Sequence, residues 1–133
     1  MTEGENVQRI QELYAAFGRG DVPTILSQMT DDVVLYDPGP PEVPHAGRYH
    51  GPDGVGQFFG RVADTVEIEE FAPTEFVAQG DRVIVLGSLR GRVKATDRSY
   101  DNEWAHVWTL RDDKVAGMQI YEDTARELAG HTA

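Results

Sequence analysis

The apolar residues of this chain change their spacing along the sequence, from a helical period near the start to a period of two over most of the second half. The helical part carries one apolar stripe with spacings of three and four residues, formed by Val7, Ile10, Leu13, Tyr14 and Phe17. Gly18 and Gly20 follow this stripe and predict the end of the helix. Because helices come first and strands later, the pattern predicts an α+β fold with separate layers rather than alternating βαβ units.

Three further helices are predicted from capping and turn residues. Asp21 as the N-cap and Pro23 in the first turn predict a short second helix, whose apolar face is Ile25, Leu26 and Met29. A third helix opens at Pro52-Asp53-Gly54 and carries Val55, Phe58, Phe59 and Val62. A tail helix is predicted over Thr124–Leu128. Between the second and third helices, Asp37 to Gly51 reads as a Pro/Gly-rich loop that is either functional or mobile.

The remaining apolar segments predict an antiparallel sheet. Its strands are expected at Val33–Tyr36, Glu67–Phe71, Thr74–Ala78, Arg82–Lys94, Tyr100–Leu110 and Lys114–Tyr121. Two of these strands, Arg82–Lys94 and Tyr100–Leu110, are much longer than the usual ~5–6 residues. Long antiparallel strands twist and bend, so helices over one face of this sheet would enclose a hollow.

Composition limits the classes of partner. The 133 residues fit one domain spanning residues 1–133, and the absence of cysteine excludes disulfides, zinc–thiolate sites and iron–sulfur clusters. A net charge of -11 disfavours nucleic acid and anionic membranes as partners. The acidic N-terminus, Met1–Glu5, does not resemble a secretory signal, and we expect a cytoplasmic protein.

The strand Tyr100–Leu110 alternates sharply between two faces. One face carries Asn102, Trp104, His106, Trp108 and Leu110, which would make a flat apolar wall around one titratable group. Such a wall suits a ring-bearing ligand. Equally, the two tryptophans could fill the core beneath the helices while His106 bonds a backbone carbonyl.

Two more side chains are candidates for acid–base chemistry. Asp37 ends a strand on the same face as Val33 and Leu35, where partial desolvation would raise its pKa toward that of a useful base. Aspartate before proline also starts turns, and the residues alone favour that interpretation. Tyr14 could project its hydroxyl into a cavity, although a core tyrosine with its tip at the edge is the more common case.

Other polar residues carry less signal. Glu122 and Asp123 are expected to cap the tail helix, with a position at the pocket rim as the alternative. His45 and His50 lie in the Pro-rich loop, but no metal-ligand spacing accompanies them, and we expect no metal. No phosphate-binding loop or nucleophile elbow is present, so we expect no cofactor.

The order of elements resembles the nuclear transport factor two-like superfamily, and within it the SnoaL-like polyketide cyclases and ketosteroid isomerases. The similarity runs over nearly the whole chain, through Tyr14–Phe17 with Gly20-Asp21, Asp31–Val33, Asp37-Pro38, Gly51–Val55 with Phe58-Phe59, Gly80–Val83, Trp104–Trp108 and Lys114-Val115. It implies a cone-shaped, curved antiparallel sheet with N-terminal helices over its concave face, a cystatin-like α+β roll. It also implies a homodimer formed through the outer sheet face.

The resemblance also implies roles for particular residues. Asp37-Pro38 falls at the position of the isomerases' general base. Their oxyanion tyrosine corresponds to Leu13, next to Tyr14, and their oxyanion aspartate corresponds to His106 or Ala105. In SnoaL-like cyclases a histidine and an aspartate line the pocket without a cofactor, and Asp37 with His106 matches that pair in kind.

Together these features predict a cofactor-free acid–base enzyme, of isomerase or cyclase type, acting on a small hydrophobic carbonyl or polycyclic substrate. Asp37 would abstract a proton, and His106, with Tyr14 or Asn102, would stabilise the enolate oxygen. The rings would be held by Trp104, Trp108, Phe59 and Leu35. The alternatives are a non-catalytic dimer that binds a small ligand or scaffolds, and a dehydratase or epoxide hydrolase in which Asp37 activates water.

Overall fold

The computed structural model describes residues 2–132, which form four helices and six strands. The helices are α1 (Glu3–Gly18), α2 (Val22–Ser27), α3 (Gly51–Thr65) and α4 (Thr124–His131). The strands are β1 (Met29–Asp37), β2 (Gly47–His50), β3 (Val66–Gln79), β4 (Arg82–Val93), β5 (Arg98–Arg111) and β6 (Lys114–Glu122). This confirms the predicted α+β class and the four predicted helices.

The six strands make one mixed sheet in the order β2-β1-β6-β5-β4-β3. The sheet is antiparallel except where β1 pairs with β6, which is a parallel pair. The expectation of a wholly antiparallel sheet is therefore wrong at this one junction. Parallel neighbours need a long crossover, and here α3 and the β3–β5 meander separate β1 from β6 in the chain. The free edges at β2 and β3 leave the sheet open, with the cone-like form of related folds.

Several strand boundaries differ from the sequence-based expectation, and Met29, expected on the second helix, instead begins β1. The segments Glu67–Phe71 and Thr74–Ala78 are one strand, β3, whose register is irregular between Pro73 and Glu75. A proline is tolerated there because β3 is an edge strand with no partner on its outer side. The strand β2 lies inside the predicted loop, where four residues are too few to show a period.

The helices α1, α2 and α3 pack together over one side of the sheet. Their buried residues include Ile10 and Leu13 from α1, Ile25 from α2, and Val55 and Phe58 from α3, all within the main hydrophobic cluster. The hydrophobic cluster therefore lies between this layer of helices and one face of the sheet.

None of the helices within residues 2–132 is long and apolar enough to cross a lipid bilayer.

The two faces of the sheet differ as the alternation predicts. On β5, Asn102, Trp104, His106, Trp108 and Leu110 are all buried, which confirms the predicted inner face. The outer face leaves four large apolar side chains exposed, namely Val77, Ile84, Leu86 and Tyr121. A homodimer through this face remains a prediction based on resemblance.

Candidate functional site

A cavity of about 110 Å³ lies between the helices and the concave sheet face. One water needs roughly 10–15 Å³ of such space, so the cavity has room for a small organic molecule. Most of its wall is apolar, with the polar groups Tyr14, Asp37, His45, His106, Glu122 and Glu127 among its lining residues. The polar groups fall into two sets at different places on the wall: a donor end (Tyr14, His106, Trp108) and an acid end (Asp37, His45, Glu122, Glu127).

Sheet register brings the two ends to the same level. Tyr36 pairs with Gln119, so the next residue, Asp37, lies level with Ile120 of β6. On the other side of β6, His106 pairs with Ile120 directly. Two strand spacings of about 4.8 Å put the backbones at Asp37 and His106 roughly 10 Å apart. Both side chains line the cavity, so one small molecule can contact both.

The donor end is a hydrogen-bonded network of three side chains. The Tyr14 hydroxyl oxygen is 2.7 Å from Nδ1 of His106 and accepts a hydrogen bond from Nε1 of Trp108 at 2.9 Å. The Tyr14 and His106 rings also stack, with planes 10° apart. Helix α1 thus supplies the hydroxyl, while alternate residues of β5 supply its two partners.

Counting hydrogens shows that this network keeps one donor unused. If His106 carries its proton on Nε2, Tyr14 donates to Nδ1 and the Nε2–H remains. If the proton is on Nδ1, His106 donates to Tyr14 and the tyrosine O–H remains. In both tautomers of neutral His106, one O–H or N–H of residues that line the cavity is left for a ligand.

Burial keeps both titratable groups of the donor end uncharged. Desolvation lowers the pKa of His106 to about 3, so the imidazole is neutral at physiological pH. Desolvation also raises the pKa of Tyr14 above its ordinary value, against a smaller opposing effect of the Trp108 hydrogen bond. The donor end therefore offers hydrogen-bond donation without a positive charge.

Of the five residues expected to contact a substrate, the structure places three on the cavity wall. Phe59 and Leu35 line the cavity, and so does Trp108, whereas Asn102 and Trp104 do not. The Asn102 side chain donates to the backbone oxygen of Asp123 at 3.0 Å. Trp104 stacks on His106 with ring centroids 3.9 Å apart, behind the cavity wall. Asn102 is thus tied to the start of α4, whereas Trp104 packs beside the donor end against His106, Tyr14 and Phe71.

The acid end is centred on Asp37, which is 2% exposed. Its Oδ2 is 2.9 Å from Nδ1 of His45, and its buried Oδ1 has no hydrogen-bond partner within residues 2–132. Asp37 is therefore a strand residue on the cavity wall, and the turn interpretation is wrong. A buried carboxylate oxygen without a partner is costly, and a ligand's donor or acidic proton would satisfy it.

Sequence reasoning missed two residues of the acid end, His45 and Glu127. His45 comes from the loop before β2, and Glu127 is a buried residue of α4 that is 2% exposed. Desolvation and the neighbouring Glu122 raise the pKa of Glu127 far above its usual value, and desolvation raises that of Glu122 as well. Asp123 caps α4 as predicted, while Glu122 faces the cavity. The sequence held no periodic signal for either residue, because His45 lies in an irregular loop and α4 buries the charged Glu127.

The histidines and carboxylates do not form a metal site among the described residues. Across the described part of the chain, no three His, Asp or Glu side chains stand in an arrangement that could hold a metal ion. His50 is exposed on β2 and does not line the cavity. The polar side chains on the cavity wall include carboxylates, imidazoles and the Tyr14 phenol.

Comparison with known proteins agrees with this fold. A family model described as a SnoaL-like domain matches residues 10–118. An NTF2-like protein of Burkholderia xenovorans LB400 is 36% identical over 99% of each chain, with a TM-score of 0.91. An NTF2-like protein of unknown function from Burkholderia pseudomallei K96243 is 32% identical over 100% of each chain, with a TM-score of 0.90.

A third solved structure is TerC, co-crystallised with polyporic acid. It is 29% identical, the match covers 97% of this chain and 99% of TerC, and the TM-score is 0.86. No significant match was found among curated proteins. From the family match over residues 10–118 and the similarity along its whole length, this chain belongs to the SnoaL-like domain family and has the NTF2-like fold.

Proposed function

We propose that the cavity carries out cofactor-free acid–base chemistry, of the isomerase or cyclase type, on a small hydrophobic carbonyl compound. One observation carries the proposal: the free oxygen of Asp37 and the unused donor of Tyr14 and His106 belong to residues lining the same cavity. A base and an oxyanion donor in one water-poor hollow are the two groups that enolisation needs.

The reaction follows from these groups. Oδ1 of Asp37 takes a proton from the carbon next to the carbonyl, the electron pair of that C–H bond forms the C=C bond of the enolate, and the C=O π pair moves onto the carbonyl oxygen. The Tyr14–His106 donor stabilises the oxyanion by a hydrogen bond. For isomerisation, the Asp37 carboxyl returns its proton to another carbon of the conjugated enolate and the carbonyl re-forms. For cyclisation, the enolate carbon bonds to a second carbonyl carbon, and the alkoxide that results takes the proton from Asp37. No oxidant, reductant or co-reactant is required.

The relatives and the cavity wall support a small ligand. TerC was co-crystallised with polyporic acid, and this chain matches 99% of TerC. The present cavity is lined by aromatic rings, including Phe17, Phe59, Phe71 and Trp108. Flat apolar walls with a few convergent polar groups are typical of sites for organic ligands.

The test uses a one-ring ketone that reports on the reaction class. We expect the protein to convert 3-cyclohexen-1-one to its conjugated isomer, followed by the rise in ultraviolet absorbance. Asp37→Asn removes the base and should lower the rate by ~10²–10⁴. The control is Asp101→Asn, an exposed aspartate on the outer face of β5, which should leave the rate unchanged.

The other outcomes separate the alternatives. Conversion that is equally fast in Asp37→Asn would exclude Asp37 as the base. Saturable binding of the ketone without conversion would favour a non-catalytic binding module. Hydration or epoxide opening of cyclic substrates, without isomerisation, would favour the hydratase-type chemistry.

A further inference from the structure

His45 lies between two carboxyl groups in the cavity wall. Its Nδ1 is 2.9 Å from Oδ2 of Asp37, and its Nε2 is 4.0 Å from Oε1 of Glu127. The three side chains are 5%, 2% and 2% exposed respectively. A single imidazole ring therefore connects the end of β1 to α4 in a place that bulk water does not reach.

The position of His45 is fixed although it lies in a loop. The Tyr49 hydroxyl donates to the backbone oxygen of His45 at 2.8 Å, and Nη1 of Arg61 donates to that hydroxyl at 3.3 Å. The imidazole packs edge-on against Phe58, with ring centroids 6.1 Å apart. These contacts hold the ring where its Nδ1 meets Asp37.

The helix α4 is fixed as firmly on the other side of the ring. Oγ1 of Thr96 donates to the backbone oxygen of Gly130 at 2.6 Å. A Cβ atom at Gly130 would lie 2.8 Å from Tyr100, so only glycine lets α4 approach β5 this closely. Glu127 is thereby held beside Nε2 of His45, at a distance too long for a hydrogen bond but within reach of one bridging water.

We propose that His45 is a positioning residue for the base: it occupies Oδ2 of Asp37, leaves Oδ1 to the ligand, and is itself steadied by Glu127 of α4. This assignment rests on the proposed function, because Asp37 is the reacting group there. A carboxylate held by one oxygen cannot rotate its plane freely, so its free oxygen keeps one direction. Misplacement of a reacting group by about 1 Å can cost ~10²-fold in rate.

Two substitutions of His45 distinguish the roles of its two ring nitrogens. In His45→Asn the amide nitrogen stands near the former Nδ1 and can still donate to Asp37. In His45→Gln the amide nitrogen stands near the former Nε2, and the hydrogen bond to Asp37 is lost. With 3-cyclohexen-1-one, we expect kcat of His45→Asn to remain within a few-fold of wild type, and kcat of His45→Gln to fall by roughly 10–10²-fold at a similar KM.

The support from α4 is tested in the same assay. Glu127→Gln keeps a neutral donor beside Nε2 and should preserve kcat, whereas Glu127→Leu should lower it several-fold. Thermal unfolding of each variant reports whether the fold is retained. Equal losses for the Asn and Gln variants at position 45, or a rise in KM with kcat unchanged, would overturn the positioning role and leave the proposed function standing.

A second measurement does not depend on turnover. The Nδ1–H proton of His45 should give a low-field ¹H NMR signal that disappears or moves in Asp37→Asn and stays in Glu127→Gln. An unchanged signal in Asp37→Asn would overturn the pairing on which the role depends. If wild type fails to convert the ketone at all, the proposed function fails and the positioning role fails with it.

Discussion

The two polar ends of the cavity are formed by different kinds of structural element, and burial shifts the pKa values of His106 and Glu127 in opposite directions. The donor end comes from regular elements, with Tyr14 on α1 and His106 and Trp108 on β5, and burial removes the positive charge of its imidazole. The acid end comes from a strand end, a loop and the last helix, and burial favours the neutral form of Glu127. Desolvation disfavours whichever form is charged, so one rule lowers one pKa and raises the other.

The largest expected effect of this contrast is on stability against pH. The folded-state pKa of His106 is about 3, below the ordinary histidine value of 6.5, so the unfolded chain binds more protons between these values. Stability should therefore fall as pH drops from about 6.5 toward 3, by on the order of 4 kcal/mol at ~1.4 kcal/mol per pH unit. The contribution of Glu127 has the opposite sign, because its folded-state pKa lies above the ordinary glutamate value of 4.5 and the unfolded chain loses its proton first. Its contribution is complete below about pH 4.5 and is lost as pH rises into the alkaline range.

Urea unfolding measured across pH tests both signs. Glu127→Gln, which stays neutral at all pH, should flatten the alkaline side and leave the acid side unchanged. An acid side that flattens instead would mean that the two ends have been assigned the wrong way round.

The second effect concerns Trp104, whose ring stacks on His106 of the donor end. A Cβ atom at Gly87 would lie 2.3 Å from Trp104 and 2.5 Å from the backbone oxygen of Ala72. Gly87→Ala should therefore destabilise the fold by about 3 kcal/mol, at the upper end of overpacking costs. It should also displace Trp104 from beneath His106. Thermal unfolding measures the loss, and near-ultraviolet circular dichroism reports the tryptophan.

Gly60→Ala is the matched control for this substitution. Gly60 lies in the interior of α3 with nothing within 4 Å of a Cβ atom, so alanine should stabilise the protein by roughly 0.5–1 kcal/mol. Similar losses at both positions would show that the close approach of Trp104 does not decide the result.

The difference between the two ends also explains what could be predicted from the sequence. Period-two alternation fixed the inner faces of β1 and β5, and hence placed Asp37, His106 and Trp108 correctly. It could not tell how far along β5 the cavity extends, because Asn102 is bound to the N-cap of α4 and Trp104 stacks on Phe71 of β3, and both are contacts between residues distant in the chain. His45 meets Asp37 from an irregular loop, and Glu127 breaks the rule that charged residues stay outside. Neither leaves a periodic signal.

The third effect tests the hydrogen-bond network of the donor end. Tyr14→Phe removes the acceptor of the Trp108 N–H and the partner of His106 Nδ1. An unsatisfied buried donor costs about 1–3 kcal/mol, and we expect the lower part of that range because cavity water can replace the hydroxyl. The isomerisation rate should fall as well, because the oxyanion loses its donor.

Tyr121→Phe removes a hydroxyl of the same kind from the exposed outer face and should change neither stability nor rate. If Tyr14→Phe lowers stability but not the rate, the free donor in the cavity is the Nε2–H of His106. That result would identify the tautomer directly.

The smallest effect concerns the cap that holds the acid end in place. The Asp123 side chain accepts hydrogen bonds from the backbone nitrogens of Ala125 and Arg126 at the start of α4. Asp123→Ala should cost about 1 kcal/mol of stability, whereas Asp123→Asn, which caps helices as well as aspartate, should cost little. Because α4 carries Glu127, fraying of its first turn should also make the amide hydrogens of this helix exchange faster while those of β5 keep their protection. Uniform acceleration across both elements would mean that α4 unfolds only with the whole domain. The acid end would then resist local unfolding as strongly as the donor end, although it includes a loop residue and a residue of the terminal helix.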